Sequence, residues 1–191
     1  IQGQLLQTLE QLLRVRPDDD ALMQTQQALL TEQGNLAAAR EVAQQRVQLA
    51  TRQGADARTQ AERWSSVGKY ELELQNFAGA EAALEQALAL CPDNMATLQG
   101  LVALHQQTNN PAGQVAALTR VAALEPELDQ AVATMRQAAS VMQESLGDME
   151  GARKLLLSAL ERTELAAGSS SEPAHFEVTQ RALAEVLLPL F

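Results

Sequence analysis

Few residues in this chain are of the types that do chemistry, and their spacing assembles none of the usual sites. His105 and His175 lie far apart, and His175 has no cysteine or histidine within ligand spacing, so a zinc site is not expected. For His105 a structural role is expected rather than that of a catalytic base. Cys91, the single cysteine, sits at the C-terminal end of a predicted helix. The helix dipole and the lack of neighbouring cations disfavour a thiolate there, so an inert, packed thiol is expected and no internal disulfide can form. The run Asp18, Asp19, Asp20 contains three metal-ligand types, but aspartates at a helix start accept the unsatisfied N–H groups, and capping is the expected role. Glu71 and Glu73 point to different helix faces at that spacing, leaving no carboxylate pair for acid–base work. Gly147, Gly151 and Gly168 lack the spaced glycines, followed by Lys and Ser or Thr, of a phosphate loop. Trp64 could serve as a ligand platform, yet its helix position points inward, toward a core. The expectation is therefore no catalytic, cofactor-binding or metal-binding residues, and no cofactor.

What would position any site is helix. Apolar residues make up 46% of the chain and aromatics only 3%, which points to a core of Ala and Leu with closely approaching helices. Gly and Pro fall mostly between the periodic segments, and strand signals are absent. With 14 basic and 24 acidic residues the net charge is −10, which argues against nucleic acid and anionic membrane as partners, since both demand a basic surface. No stretch approaches the roughly 18 apolar residues of a membrane span, so no membrane insertion is expected. The chain starts at Ile1 with helical pattern already running by Leu5, and reads as a piece of a longer protein. One cysteine suits a reducing compartment, so the cytoplasm is expected, with the periplasm as the alternative. Lysine is almost missing (Lys69, Lys154) while Arg and Ala are plentiful, a bias of GC-rich bacterial genomes.

The helical pattern recurs. Ala80, Leu84, Ala87 and Pro92 stand at offsets 0, 4, 7 and 12, with Trp64 and Gly68 upstream, and Leu5, Leu9, Leu12 and Pro17 repeat those offsets 75 residues earlier. A shift of 34 residues carries Leu84 onto Leu118 and Pro92 onto Pro126, the period of stacked helical hairpins. The units expected are 1–19, the second helix of a preceding repeat; 20–60, a long repeat turning at Gly34 and Asn35; 61–94; 95–128, turning at Asn109, Asn110 and Pro111; 129–172, a long repeat turning at Gly147 and Asp148 and closing in a linker; and 173–191, a further first helix or cap.

Trp64, Val67, Gly68, Tyr70, Phe77, Ala80, Leu84, Ala87 and Pro92 resemble the tetratricopeptide repeat signature, with Val in place of Leu at 67 and the Tyr one place early. Leu118 and Pro126 continue it, and the likeness is strongest over 61–126. The resemblance implies an all-α, right-handed superhelical solenoid of antiparallel helix-turn-helix repeats. It also implies a non-enzymatic scaffold or adaptor that binds a protein or peptide in a concave groove lined by first helices. One branch of that family clamps chaperone C-termini with a Lys and an Asn at the fifth and ninth positions of first helices. Here those pairs are Gln24 with Ala28, Ser65 with Lys69, Gln99 with Ala103, and Ala133 with Gln137, so that clamp is not expected. The groove expected is weakly charged and rich in Gln and Ala: Gln24, Ala28, Ser65, Lys69, Gln99, Ala103, Gln106, Gln107, Gln130 and Gln137. Two alternatives stand beside it: an oligomerisation module that self-associates through 173–191, where Leu187, Leu188, Leu190 and Phe191 form an apolar end, and a regulatory segment of a larger multidomain protein.

Overall fold

Most helices of this chain start where an Asn or Asp is placed to cap them and stop where a residue turns left-handed or a proline intervenes; the helix that follows Glu127 without a side-chain cap and runs on into a π-helical turn is an exception. In the computed structural model, which describes residues 2–169, the order is α1 (Gln2–Val15), α2 (Asp20–Glu32), α3 (Leu36–Arg52), α4 (Ala57–Glu73), α5 (Phe77–Leu90), α6 (Met95–Gln107), α7 (Pro111–Leu124), α8 (Leu128–Val141), a π-helical turn (Met142–Leu146) and α9 (Met149–Ser169). No strand occurs among the described residues. The expected helix over 173–191, and with it the apolar end, lies outside them.

The capping is regular. Asp19, Asn35, Asp56, Asn76, Asn94, Asn110 and Asp148 each accept, through a side-chain oxygen, the backbone N–H three residues on. That bond satisfies one of the free donors of the first turn. Ahead of most of these caps the preceding helix closes on a residue with positive φ: Gly34, Gln75, Asn109 and Gly147 at 73°, 59°, 52° and 65°. The next amide then reaches five residues back, as Asn35 N to Leu30 O and Asn76 N to Glu71 O, both within 2.9 Å. Gln75 is the costly member of this set, because a left-handed conformation costs a residue with a Cβ roughly 1–2 kcal/mol. Gln75→Gly is therefore expected to stabilise its unit by about 0.5–1 kcal/mol, raising the thermal midpoint by ~2–4 °C in a circular dichroism melt. An unchanged or lower midpoint would show that Gln75 is unstrained.

Two compact units divide the chain, residues 1–100 and the residues from 101 on. In the first, α1 to α5 pack in sequence, each against the next. The core is Met23 and Leu30 of α2, Val42, Ala43 and Val47 of α3, Val67 and Tyr70 of α4 and Ala83 of α5, with Leu6, Leu13 and Trp64 at its edge. Leu84 of α5 is fully buried, with Gly68 of α4 on one side and Gly100 of α6 on the other. A Cβ built at either glycine would lie 2.7 Å from a Leu84 side-chain carbon. The glycines let two helix backbones close on one leucine. In the second unit, Ala122, Val132, Met135 and Ala139 pack against Ala152, Leu156 and Ala159 of α9. The small residues there carry the close contacts that a core poor in aromatics needs.

Candidate functional site

On α2 of the first unit, two residues of the expected groove, Gln24 and Ala28, lie exposed at a spacing of four, on one face of the helix. Lys69 of α4 is also exposed and stands 4.0 Å from Glu73. Ser65 is a correction to the expected groove: it is only 7% exposed. Its hydroxyl bonds Ala61 O at 2.9 Å and Thr97 Oγ1 at 2.6 Å, tying α4 to α6, so it presents nothing to a partner. Trp64, expected in the core, packs against it but is only half-buried. On α6, Gln99, Gln106 and Gln107 are exposed and Ala103 is half-buried.

Beneath the α2 surface lies a polar network. Arg46 of α3 is 5% exposed, and its guanidinium meets Asp20 twice, Nε to Oδ1 at 2.7 Å and Nη2 to Oδ2 at 3.1 Å. Arg46 Nη1 donates to Gln27 Oε1 at 2.9 Å and Nη2 to Gln24 Oε1 at 3.4 Å. Arg63 of α4 donates to the same Asp20 Oδ2 at 2.8 Å. Gln27 Nε2 donates onward to Ser66 Oγ at 2.9 Å and to Tyr70 OH at 3.1 Å, and Tyr70 OH stands 2.7 Å from Thr31 Oγ1. One aspartate thus anchors three helices. The hydrogen bond from Arg46, helped by the charges of Arg46 and Arg63, holds the Asp20 carboxyl below its ordinary value of 3.8 against the opposing effect of burial. Asp19 caps α2 as expected of the acidic run, Asp18 pairs with Arg52 at 3.0 Å, and Asp20 serves this network. The network was not read from the sequence, although a signal was present. Arg46 falls three residues after Ala43 and one before Val47, on the inward face of α3, where a charge requires a buried partner.

In the second unit the groove residues sit on α8. Gln130 and Gln137 are exposed. Gln137 lines an open recess of about 370 Å³ with Ala133, Arg136, Ser140 and Gln143, the last from the π-helical turn that follows. Ser140 Oγ bonds Glu144 Oε1 at 2.8 Å. Among the described residues that line this recess, Arg136 is the one charged side chain. The surface therefore offers amides that donate and accept, a cation and small apolar patches, and holds a shape without enclosing it. His105, half-buried, has Nδ1 3.3 Å from Asn110 Nδ2, a packing position beside the turn into α7. Cys91 ends α5, partly buried and free.

No family model matches the chain, and no curated protein does. Solved structures do. A crystal structure of the MamA protein aligns with a TM-score of 0.62 at 17% identity, over 87% of this chain and 85% of that one. A second MamA crystal structure gives 0.61 at 18% identity over 85% and 89%, and an ArsTM double mutant of MamA RS-1 gives 0.63 at 14% over 90% and 88%. The chain has a tetratricopeptide-like helical-repeat fold. At these identities the fold is what the two proteins share. Among the described residues, no helix of this repeat is long and apolar enough to cross a membrane.

Proposed function

We propose that this helical repeat is a non-enzymatic protein-binding module, a scaffold or adaptor that takes a peptide or a helix on the exposed faces of its first helices. The observation that carries the reading is the recess on α8, where Ala133 and Gln137 stand one turn apart on either side of Arg136. Ala28 and Gln24 repeat that spacing on the exposed face of α2. Small residues let a partner's backbone approach, and glutamine amides bond that backbone without selecting a charge sign. The helices are ordered before the partner arrives, so most of the ordering entropy is lost by the partner. The amide of Gln24 is held from below by Arg46, which reduces what that side chain loses on binding.

Affinity capture from cell extract tests this, with the chain as bait beside two variants of equal helical circular dichroism. Ala133→Glu with Gln137→Glu fills and charges the α8 recess, and Gln86→Glu alters an exposed position on α5, a second helix. A protein retained by the parent chain and by Gln86→Glu, and released by the α8 variant, is the expected result. Retention by all three would place binding elsewhere. Recovery of only the chain's own parent would favour self-association.

A further inference from the structure

A larger recess than the one on α8 opens in the first unit, on α3. Gln44, Val47, Gln48, Thr51 and Arg52 of α3 and Trp64 of α4 line a concavity of about 680 Å³, within the roughly 300–1,000 Å³ typical of ligand-sized pockets. Its make-up differs from that of the first-helix faces. Val47 belongs to the core cluster of the unit and Trp64 packs against it, so the recess reaches apolar side chains supported from behind. Gln44, Gln48 and Thr51 follow one another at helical spacing along the rim. Thr51 Oγ1 donates to Val47 O at 3.0 Å, which leaves its oxygen to accept. Among the described residues that line the recess, Arg52 is the one that is charged, in a chain of net charge −10. It pairs with Asp18 at 3.0 Å, but the two side chains are 65% and 59% exposed, and such a pair is easily exchanged for another carboxylate.

We propose that this recess is a second docking site, for a peptide segment that seats one large apolar side chain against Trp64 and Val47 and presents an adjacent carboxylate to Arg52. An aromatic wall with an apolar floor is the usual setting for such an anchor. The glutamine amides bond the segment's backbone on the way out of the recess. A basic flank is disfavoured by Arg52, and one arginine on an acidic chain is too little for a polyanion. The site uses α3, a second helix, and stands or falls independently of binding on α2 and α8.

Trp64 is the only tryptophan in the chain, so all tryptophan fluorescence comes from a wall of this recess. A random dodecapeptide phage library is panned on the full 191-residue chain, and the enriched peptides, free of tryptophan, are titrated against it. The expected result is enrichment of peptides with Leu, Ile, Phe or Met within two positions of Asp or Glu, and a shift in Trp64 emission on binding. Affinity should fall about tenfold or more in Arg52→Glu and in Gln48→Glu, and stay within about twofold in Ala133→Glu with Gln137→Glu. Positions 48 and 52 are exposed, so both substitutions leave the core intact, and far-ultraviolet circular dichroism checks this. The proposal is overturned if no enriched peptide moves the Trp64 emission, if those that do are basic, or if Arg52→Glu binds them as tightly as the parent. Peptides that bind silently and are lost only in the α8 variant would sustain the first-helix reading while removing this one.

Discussion

Leu84→Ala is expected to destabilise the first unit by about 3–5 kcal/mol, at the upper end of the range for a buried leucine. Leu84 is fully buried between Gly68 and Gly100, and no neighbouring side chain at those two positions exists to relax into the space. The same geometry gives a result that generic cavity formation does not. A Cβ at position 68 would lie 2.7 Å from Leu84 Cγ and 2.8 Å from Cδ2, so Gly68→Ala alone destabilises by overpacking. In a Leu84→Ala background both obstructing atoms are gone, and the next atom, Ala80 O, lies 3.6 Å away. There the added methyl fills part of the cavity and also gains the ~1 kcal/mol by which Ala exceeds Gly in a helix. Gly68→Ala should thus change sign with the residue at 84, from harmful to helpful, giving a coupling of about 2 kcal/mol in a double-mutant cycle. Additive effects in urea unfolding would mean that the two helices do not close on this leucine.

The second large effect is electrostatic. Asp20→Ala leaves Arg46 buried with only Gln24 and Gln27 as partners, and removes the one acid that Arg63 is seen to bond. Breaking a fully buried pair costs about 3–5 kcal/mol, but the Asp20 side chain is 35% exposed, so solvent screening brings the expected loss to about 2–3 kcal/mol. Arg46→Met should cost less, because Asp20 keeps Arg63 and water. The pH dependence has a definite sign. The carboxyl of Asp20 is held below its ordinary value of 3.8 in the folded chain, so the unfolded chain binds the proton more readily. The contribution of Asp20 is accordingly fully present above the ordinary carboxylate range, and is lost as pH falls below 3.8 through the folded value. The stability gap between parent and Asp20→Ala should be constant from neutral pH to about pH 5 and narrow below pH 4. A gap that widened on acidification would contradict the network.

The all-α repeat class was legible in the sequence because the signals that set it are local. Small and apolar residues at helical spacing, with Pro17, Pro92 and Pro126 between segments, identify stacked hairpins whatever the partner. The turn residues were legible for the same reason, since Gly34–Asn35, Asn109–Asn110 and Gly147–Asp148 state their own backbone needs. The Asp20 network was not, because it joins α2, α3 and α4 across positions 20, 46 and 63, and local pattern treats Asp20 as one more cap. The burial of Ser65 was not legible, because a first-helix position counted from Ala61 gives an angle on the helix but not what stands opposite, here Thr97 of α6. The inward reading of Trp64 caught its contact with the core and missed the open recess beside it, since a concavity depends on which neighbouring side chains are short. The π-helical turn after α8, which brings Gln143 to the recess, had no sequence signal beyond the extra length of that helix.

The exposed first-helix faces are the proposed binding surface, and the most direct test of them is the dissociation constant of a captured partner measured by calorimetry. The parent chain, Ala133→Glu with Gln137→Glu, and Gln86→Glu would be compared at equal helical content. The expected result is a loss of about tenfold or more, ~1.4 kcal/mol, in the α8 variant alone. Equal affinity in all three, or a loss confined to Gln86→Glu, would contradict it and move the partner to the second helices.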